Sequence, residues 1–326
     1  MQYRRVGRTD IRVSEIGFGC WTMGGPNWSS DNGQPIGWGE VNQDEILKGV
    51  GAAIDAGVTH WDNADVYGNG RAERLLAKCL RTLGVKREEV VIATKVGWFR
   101  GTASSAFEPH HVRRQCEQSL RNLETDHLDI YYFHNANFGE YLEDAAGVMR
   151  ELVAEGKVRA VGQSAYDARD FEIVTPVVKP DVLQSKANLL YDEFIRPGSP
   201  LQNLMSETGA TFVGFGPLGQ GLLLDKFPVD RPANFDPGDH RLTDQQFDFA
   251  SIRDLRPRIM KLKERFGSTT EDLASVACRF VLGHDNVCSV IPGFRNEKQA
   301  RCNLRGAADS PLTEDDMAYC RMLFAE

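Results

Sequence analysis

The stretch THWDNADVYGNG, residues 59 to 70, sets the pattern that the rest of the chain repeats. Thr59 to Asp62 is an apolar and β-branched run, which predicts a strand, and the glycines after it predict a turn into a helix over Arg71 to Leu83. The next run, VVIAT at Val90 to Thr94, is apolar throughout, like strands buried on both faces of a parallel sheet. Strand, turn, helix and strand therefore follow one another in this part of the chain.

The alternation of strand and helix continues along the chain. Eight strands are predicted, at Ile16 to Cys20, Thr59 to Asp62, Val90 to Thr94, Leu128 to Phe133, Val158 to Val161, Val182 to Gln184, Thr211 to Phe215 and Asn286 to Ile291. Eight strands separated by helices favour an α/β fold of the (β/α)8 TIM barrel type over a doubly wound sheet. No G-x-G-x-x-G set follows the first strand, which supports the same choice. We predict one barrel domain over residues 1 to 326.

Three segments lie outside this repeat. Residues 3 to 15, around the turn GRTD, predict an N-terminal β-hairpin, and Thr313 to Phe324 predicts a C-terminal helix. The segment Asp225 to Pro257, after the seventh strand, is polar and rich in Asp and Pro. We interpret it either as a lid over a bound cofactor or as a surface loop.

Composition and charge exclude several classes of partner. The 326 residues carry a formal net charge of −8 without a clustered run of Lys and Arg, which argues against nucleic-acid and anionic-membrane partners. The N-terminal MQYRRVGRTD lacks the apolar core of a secretory signal, and no apolar stretch is long enough to span a bilayer, so we expect a cytoplasmic protein. The seven cysteines contain no CxxC pair, which argues against a disulfide framework or a zinc site.

Four ionisable side chains are predicted to meet where the strands end, which is where barrels of this kind carry their active sites. Asp62 and Tyr67 follow the second strand, Lys95 the third and His134 the fourth. A free tyrosine has a pKa near ~10. A buried ammonium group beside the phenol would lower it, and Lys95, with Asp62 as its counter-ion, is the candidate. With His134 either orienting a substrate oxygen or sharing the proton with Tyr67, this set predicts a general acid aimed at a carbonyl group.

Several segments resemble the aldo-keto reductase family and occur in the family's order over nearly the whole chain. They are GFGCWTMGG (17 to 25), DNADVYGNGRAE (62 to 73), ATKVG (93 to 97), DIYYFHNAN (129 to 137), GQSAY (162 to 166), LQSKANLLY (183 to 191), GFGPLGQGLL (214 to 223) and IPGFRNEKQARCNL (291 to 304). The resemblance implies NAD(P)H-dependent reduction of an aldehyde or ketone on a (β/α)8 barrel, by direct hydride transfer without a metal. It places the family's proton donor on Tyr67, its supporting lysine and aspartate on Lys95 and Asp62, and its substrate-orienting histidine on His134.

The same resemblance assigns the residues that would hold the cofactor. Phe215 would stack on the nicotinamide, and the position of the family's carboxamide-binding asparagine is Ala165 here. Arg295 would face the adenosine 2′-phosphate, which favours NADPH over NADH because arginine matches phosphate geometry well. Gln299 stands where some members carry arginine, which weakens that preference. The expected cofactor-binding residues are Ser164, Gln184, Phe215, Gly216, Pro217, Leu218, Gly219, Gly221, Gly293, Arg295, Gln299 and Asn303.

The substrate pocket is predicted to be aromatic and open. All five tryptophans lie in the first third of the chain, and Trp21, Trp28 and Trp98 are the candidates for its wall. The segment after His134 is short and no long tail follows the last helix, so the substrate class stays broad: a small-molecule carbonyl compound. The oligomeric state stays open, a homo-oligomer included.

Two other functions remain in view. One is a metal-dependent barrel hydrolase in which His60, Asp62, Lys95 and His134 act as ligands, although we interpret His60 more simply as a core residue. The other is an NADPH-binding regulatory subunit, as in the potassium-channel β-subunit branch of the aldo-keto reductases.

Overall fold

A small hairpin precedes a barrel of parallel strands in the computed structural model of the protein, which describes residues 1–29 and 32–325. The hairpin pairs β1 (Tyr3–Arg5) with β2 (Arg12–Ser14) in antiparallel register. The eight barrel strands are β3 (Phe18–Gly19), β4 (His60–Asp62), β5 (Val91–Val96), β6 (Leu128–Phe133), β7 (Val158–Ser164), β8 (Val182–Lys186), β9 (Thr211–Phe215) and β10 (Val287–Ile291). They are parallel and neighbours in sequence order, and bridges from Ile16 to Val290 and from Gly19 to Gly293 bring the first and last together. The predicted (β/α)8 barrel with its N-terminal hairpin is confirmed.

Helices occupy the intervals between the strands and the end of the chain. They are α1 (Gln43–Asp55), α2 (Arg71–Thr82), α3 (Pro109–Leu123), α4 (Leu142–Ala154), α5 (Ala168–Val178), α6 (Pro200–Thr208), α7 (Phe249–Phe266), α8 (Thr270–Leu282), α9 (Glu297–Ala308) and α10 (Glu314–Phe324). The side chain of Asn42 caps α1 by accepting from the N–H groups of Asp44 and Glu45, as the sequence predicts. The C-terminal helix is confirmed as α10. No helix within the described residues is long and apolar enough to cross a membrane.

Alternation of side chains along the strands separates two parts of the core. Trp61 points outward and stacks on Phe18, with ring centroids 5.8 Å apart, whereas His60 points into the barrel and meets Ser289 Oγ at 3.0 Å. Tyr132 also fills the barrel interior, beside Gly162 on the next strand. A Cβ at Gly162 would lie 2.2 Å from the Tyr132 ring, so a residue without a side chain is required there. The interpretation of His60 as a core residue is therefore confirmed.

Several predicted boundaries are wrong, and the strand predicted at Val158 to Val161, for example, extends to Ser164. The first barrel strand was expected to run from Ile16 to Cys20, but it is only Phe18–Gly19, because Cys20 begins a 3₁₀ turn, Cys20–Gly24. The irregular segment after β9 was expected to run to Pro257, but α7 already begins at Phe249 and contains that proline. Proline disfavours a helix interior because it lacks an N–H, yet the helix here continues through it. The insertion thus covers 225–248, and we call it the β9 insertion.

Candidate active site

A cleft of about 1480 Å³ opens at the carboxyl ends of the strands. Its wall includes Asp62 at the end of β4, His134 after β6, Gln184 on β8 and Phe215 on β9. The parallel direction of all eight barrel strands brings these side chains to one end of the molecule, where enzymes on this fold carry their sites. The cleft continues to the loop before α9 and is large enough for a dinucleotide beside a small substrate.

A buried ion pair forms the floor of the cleft. The ammonium group of Lys95, which has no solvent exposure, donates to the carboxylate of Asp62 and to the carbonyl of Asn63 at 2.7 Å. The other carboxylate oxygen of Asp62 accepts from Gln184 Nε2 at 2.8 Å. Neighbouring strands β4 and β5 supply the two charges, so their separation is fixed by the sheet. Each buried charge is matched by the other and by further hydrogen bonds, as burial requires.

The hydroxyl group of Tyr67 lies 3.5 Å from Lys95 Nζ. The sequence led us to expect a lowered pKa for this phenol, and that expectation is wrong: burial raises the pKa of Tyr67 well above its usual value, and the charge of Asp62 raises it further. Burial is the larger cause, and the Lys95 charge that would act against it is partly matched by Asp62. Tyr67 is therefore protonated at neutral pH, which is the form that an acid must have.

His134 completes the group from the end of β6. Its backbone N–H donates to the carbonyl of Val96 at 2.8 Å, and its ring stands edge-on to Tyr67 with centroids 5.7 Å apart. Burial lowers the pKa of His134 well below its usual value, and the charge of Lys95 lowers it further, so the ring is neutral. Its buried Nδ1 has no hydrogen-bond partner. The four predicted residues thus come together, with one polar atom of the ring left without a partner.

Aromatic side chains surround this group. Trp21 stacks against Tyr67, with ring centroids 6.1 Å apart, and Trp98 stands edge-on to His134 at 6.3 Å. Trp28 and Trp98 are 51% and 49% exposed and line the cleft, as does Trp21. The sequence analysis missed Tyr166, which lines the cleft while 55% exposed. It follows Ala165 directly after β7, so the rule that strand ends carry the site could have found it.

Most residues expected to hold a cofactor line the same cleft. Those on its wall are Gln184, Phe215, Gly216, Pro217, Leu218, Gly221, Gly293, Arg295, Gln299 and Asn303. Ser164 and Gly219 are buried and are not part of that wall, but Ser164 Oγ has no hydrogen-bond partner. The sequence analysis missed Lys226, Arg241 and Lys298 at this end of the cleft. Lys226 and Arg241 follow β9 inside the β9 insertion, where no periodicity indicates which side chains face inward.

The far end of the cleft fits a phosphorylated nucleotide. Arg295 stands before α9, whose N-terminus is capped by Asn296. Free N–H groups at such a helix start, together with the cations Arg295, Lys298 and Lys226, favour an anion. Some polar groups are already committed: Gln299 accepts from the Arg295 N–H at 2.8 Å, and Asn303 donates to the Gly293 carbonyl at 2.9 Å. The residues present therefore suit a dinucleotide whose phosphates lie near α9.

The metal-hydrolase alternative finds no support in the arrangement of its proposed ligands. Lys95 and Asp62 bind one another, and His60 meets Ser289, so the four side chains do not converge on one point. Within the part of the chain that the structure describes, no group of three or more His, Cys, Asp or Glu side chains could hold a metal ion.

Comparison with known proteins agrees with the fold and places the chain in a family of oxidoreductase barrels. A model of the Aldo/keto reductase family matches residues 15–324, and the chain belongs to that family. It is 33% identical over 333 residues to the aldo-keto reductase str7 of Strobilurus tenacellus, covering 99% of this chain and 92% of that protein.

Two further relatives show how the family varies. The chain is 28% identical to a probable voltage-gated potassium channel subunit beta of Oryza sativa subsp. japonica, over 96% of this chain and 93% of that protein. The aldo-keto reductase AKR11C1 from Bacillus halodurans, in its holo form, superposes with a TM-score of 0.77 at 22% identity, over 99% of this chain and 96% of that one. The predicted family is confirmed, and membership supports carbonyl reduction with a nicotinamide cofactor in general terms.

Proposed function

We propose that the protein is an NADPH-dependent reductase that converts an aldehyde or ketone to an alcohol, with Tyr67 as the general acid. The observation that carries this proposal is the position of the Tyr67 hydroxyl, 3.5 Å from a buried ammonium group that is itself held by Asp62. No side chain in this group is an activated nucleophile, and the arrangement instead suits the delivery of a proton to a substrate oxygen.

The proton transfer follows from the charges of these residues. Bound NADPH supplies the hydride to the carbonyl carbon. Tyr67 holds its proton until the substrate oxygen gains negative charge, and the resulting phenolate is then stabilised by Lys95. Because this attraction grows only as the phenol loses its proton, it lowers the barrier rather than strengthening ground-state binding. Neutral His134 would hydrogen-bond the substrate oxygen and thereby orient the carbonyl group.

The cofactor would lie along the second half of the cleft. Phe215 presents an aromatic ring at the end of β9, and the turn Gly216 to Gly221 follows it. Gln184 and the unpartnered Ser164 hydroxyl are the candidates for the carboxamide. Arg295 is the candidate for the 2′-phosphate, which is the ground for preferring NADPH. The β9 insertion would cover the cofactor.

The test is the oxidation of NADPH in the presence of test aldehydes by wild type and by Tyr67→Phe. The variant should lose most of the activity while its affinity for NADPH, followed by quenching of tryptophan fluorescence, stays within about twofold of wild type. Tyr319→Phe, which removes a surface hydroxyl bonded to the carbonyl of Lys261, is the matched control and should keep full activity. Full activity of Tyr67→Phe would refute the role of Tyr67.

A regulatory subunit is the second candidate, and the 28% identity to the rice channel subunit favours keeping it. A regulatory subunit would have the same fold as a reductase but a much lower rate of carbonyl reduction. NADPH bound tightly by a wild-type protein that turns over far slower than about 1 s⁻¹ with every aldehyde and ketone offered would favour this candidate.

A further inference from the structure

We infer that Asp236 sets the cofactor preference of this protein by competing with a 2′-phosphate for Arg295. The inference rests on the proposed function, since it concerns the adenosine end of the same cleft. Arg295 Nη2 lies 3.5 Å from Asp236 Oδ2 and donates to the carbonyl of Glu40 at 2.7 Å. The cation expected to recognise the phosphate thus already faces a carboxylate supplied by the protein.

The position of Asp236 is built into the fold. The β9 insertion joins the loop between β3 and α1 through a short bridge: the N–H of Gly37 donates to the Gly238 carbonyl at 3.1 Å, and the N–H of His240 donates to the Gly37 carbonyl at 3.0 Å. Within the insertion the backbone makes a turn just before this bridge, with the N–H of Asp239 donating to the Asp236 carbonyl at 3.2 Å. Asp236 is therefore held three residues before Asp239, the residue that forms the backbone bridge with Gly37.

A buried ion pair and two aromatic rings stabilise the same part of the insertion. Arg241 donates to both carboxylate oxygens of Asp239, at 2.9 and 2.6 Å, and both side chains are buried. The Arg241 guanidinium lies between the rings of Trp38 and Phe235, 4.5 and 4.4 Å from their centroids. Because Phe235 precedes Asp236 directly, the insertion is fixed on both sides of the carboxylate.

The loop between β3 and α1 passes close to the Asp236 carboxylate at Gly39. A Cβ at Gly39 would lie 1.9 Å from Asp236 Oδ2 and 2.8 Å from Arg295 Nη2, so this glycine makes room for the pair. Three segments therefore meet here: the loop after β3, the β9 insertion and the loop before α9.

The electrostatic consequence is specific to the phosphorylated cofactor. A 2′-phosphate carries nearly two negative charges at neutral pH. It would approach Arg295 with the Asp236 carboxylate alongside, and repulsion would offset part of the attraction. A 2′-hydroxyl meets no such repulsion and can donate to a carboxylate, as the ribose 2′-hydroxyl does to the acidic residue of dinucleotide-binding folds. Asp236 therefore reduces the difference in affinity between NADPH and NADH, and NADH can also bind.

The experiment measures the affinity of two nucleotides that differ only in the 2′-phosphate: adenosine 2′,5′-bisphosphate and 5′-AMP. Calorimetric titration should show that the bisphosphate binds Asp236→Asn about five- to tenfold more tightly than it binds wild type. This factor corresponds to the Coulomb energy of unit charges a few ångströms apart in water. Binding of 5′-AMP should change by less than about twofold. The NADPH-to-NADH ratio of dissociation constants should move by the same factor.

Two controls separate this effect from a general change of charge. Asp230→Asn removes an equal charge from the same insertion, where the exposed carboxylate pairs with Arg231 at 3.7 Å, and should leave both affinities unchanged. In an Arg295→Met background, Asp236→Asn should no longer favour the bisphosphate, because the shared partner is gone.

The inference is overturned if both nucleotides gain equally in Asp236→Asn, if Asp230→Asn gives the same gain, or if the gain persists without Arg295. Wild type that binds neither nucleotide would overturn it together with the proposed cofactor site. The proposed function is tested separately, since carbonyl reduction that depends on Tyr67 with either cofactor stands whatever the result for Asp236.

Discussion

Removal of the buried ion pair as a unit should slow the chemical step by roughly 30- to 150-fold while keeping the fold. In the double variant Asp62→Asn/Lys95→Met no buried charge is left alone, and an asparagine can still accept from Gln184. Opposite unit charges at the 3.5 Å that separates Lys95 Nζ from the Tyr67 hydroxyl attract by about 5 kcal/mol at an effective dielectric constant of about 20. The negative charge of Asp62 opposes part of this attraction, so the ion pair stabilises the Tyr67 phenolate by about 2 to 3 kcal/mol.

That energy corresponds to a loss of roughly 30- to 150-fold in the rate of the chemical step. The rate should be measured in a single turnover, because slow release of product hides changes in chemistry. Thermal unfolding and NADPH binding should stay near wild type. Glu45→Gln/Lys48→Met, which removes an exposed pair with N···O 2.8 Å, is the control and should react at the wild-type rate. A double variant at positions 62 and 95 that reacts within threefold of wild type would refute the reasoning.

Three further predictions concern packing, pH and the pocket. Gly162→Ala forces a Cβ to 2.2 Å from the Tyr132 ring and should lower the free energy of unfolding in urea by about 1 to 3 kcal/mol, whereas Gly147→Ala, on an open helix face, should raise it slightly. Burial raises the pKa of Asp65, so the folded state binds its proton more tightly, and the stability of the protein falls as the pH rises above about 4. Asp65→Asn should therefore raise the unfolding temperature at pH 8 but not at pH 4. An equal gain at both pH values would contradict this. Trp98→Ala removes a half-exposed ring from the cleft and should raise KM for aromatic aldehydes by about tenfold while leaving propanal nearly unchanged; equal effects on both would argue against aromatic contact.

The sequence predicted the barrel and the convergence of four side chains because both follow from local rules. Alternating apolar runs identify strands, and the geometry of a parallel barrel brings residues such as Lys95 and His134 to one end. The direction of the pKa of Tyr67 was not predicted. It depends first on how deeply the phenol is buried and then on the charge of Asp62, and the spacing of residues along a chain gives neither.

The contacts of the β9 insertion could not be predicted from the sequence either. Asp236 and Arg295 are far apart along the chain, and the bridge between Gly37 and Asp239 joins two irregular segments without periodicity. Pro257 suggested an irregular segment, yet the helix continues through it. Tertiary contacts decide such regions, so they have to be seen in the structure.

His240, in the β9 insertion, contacts the segment between β3 and α1. Its ring lies against Trp21, 4.4 Å between centroids, and its Nδ1 meets the Gly37 carbonyl at 3.1 Å. The other face of Trp21 is the wall beside Tyr67. A loop exchange intended to alter only the grip on the nucleotide would therefore also shift the indole that shapes the carbonyl pocket. Substrate range and nucleotide choice in this protein should change together when the β9 insertion is replaced, and directed evolution should treat both loops as one mutational target.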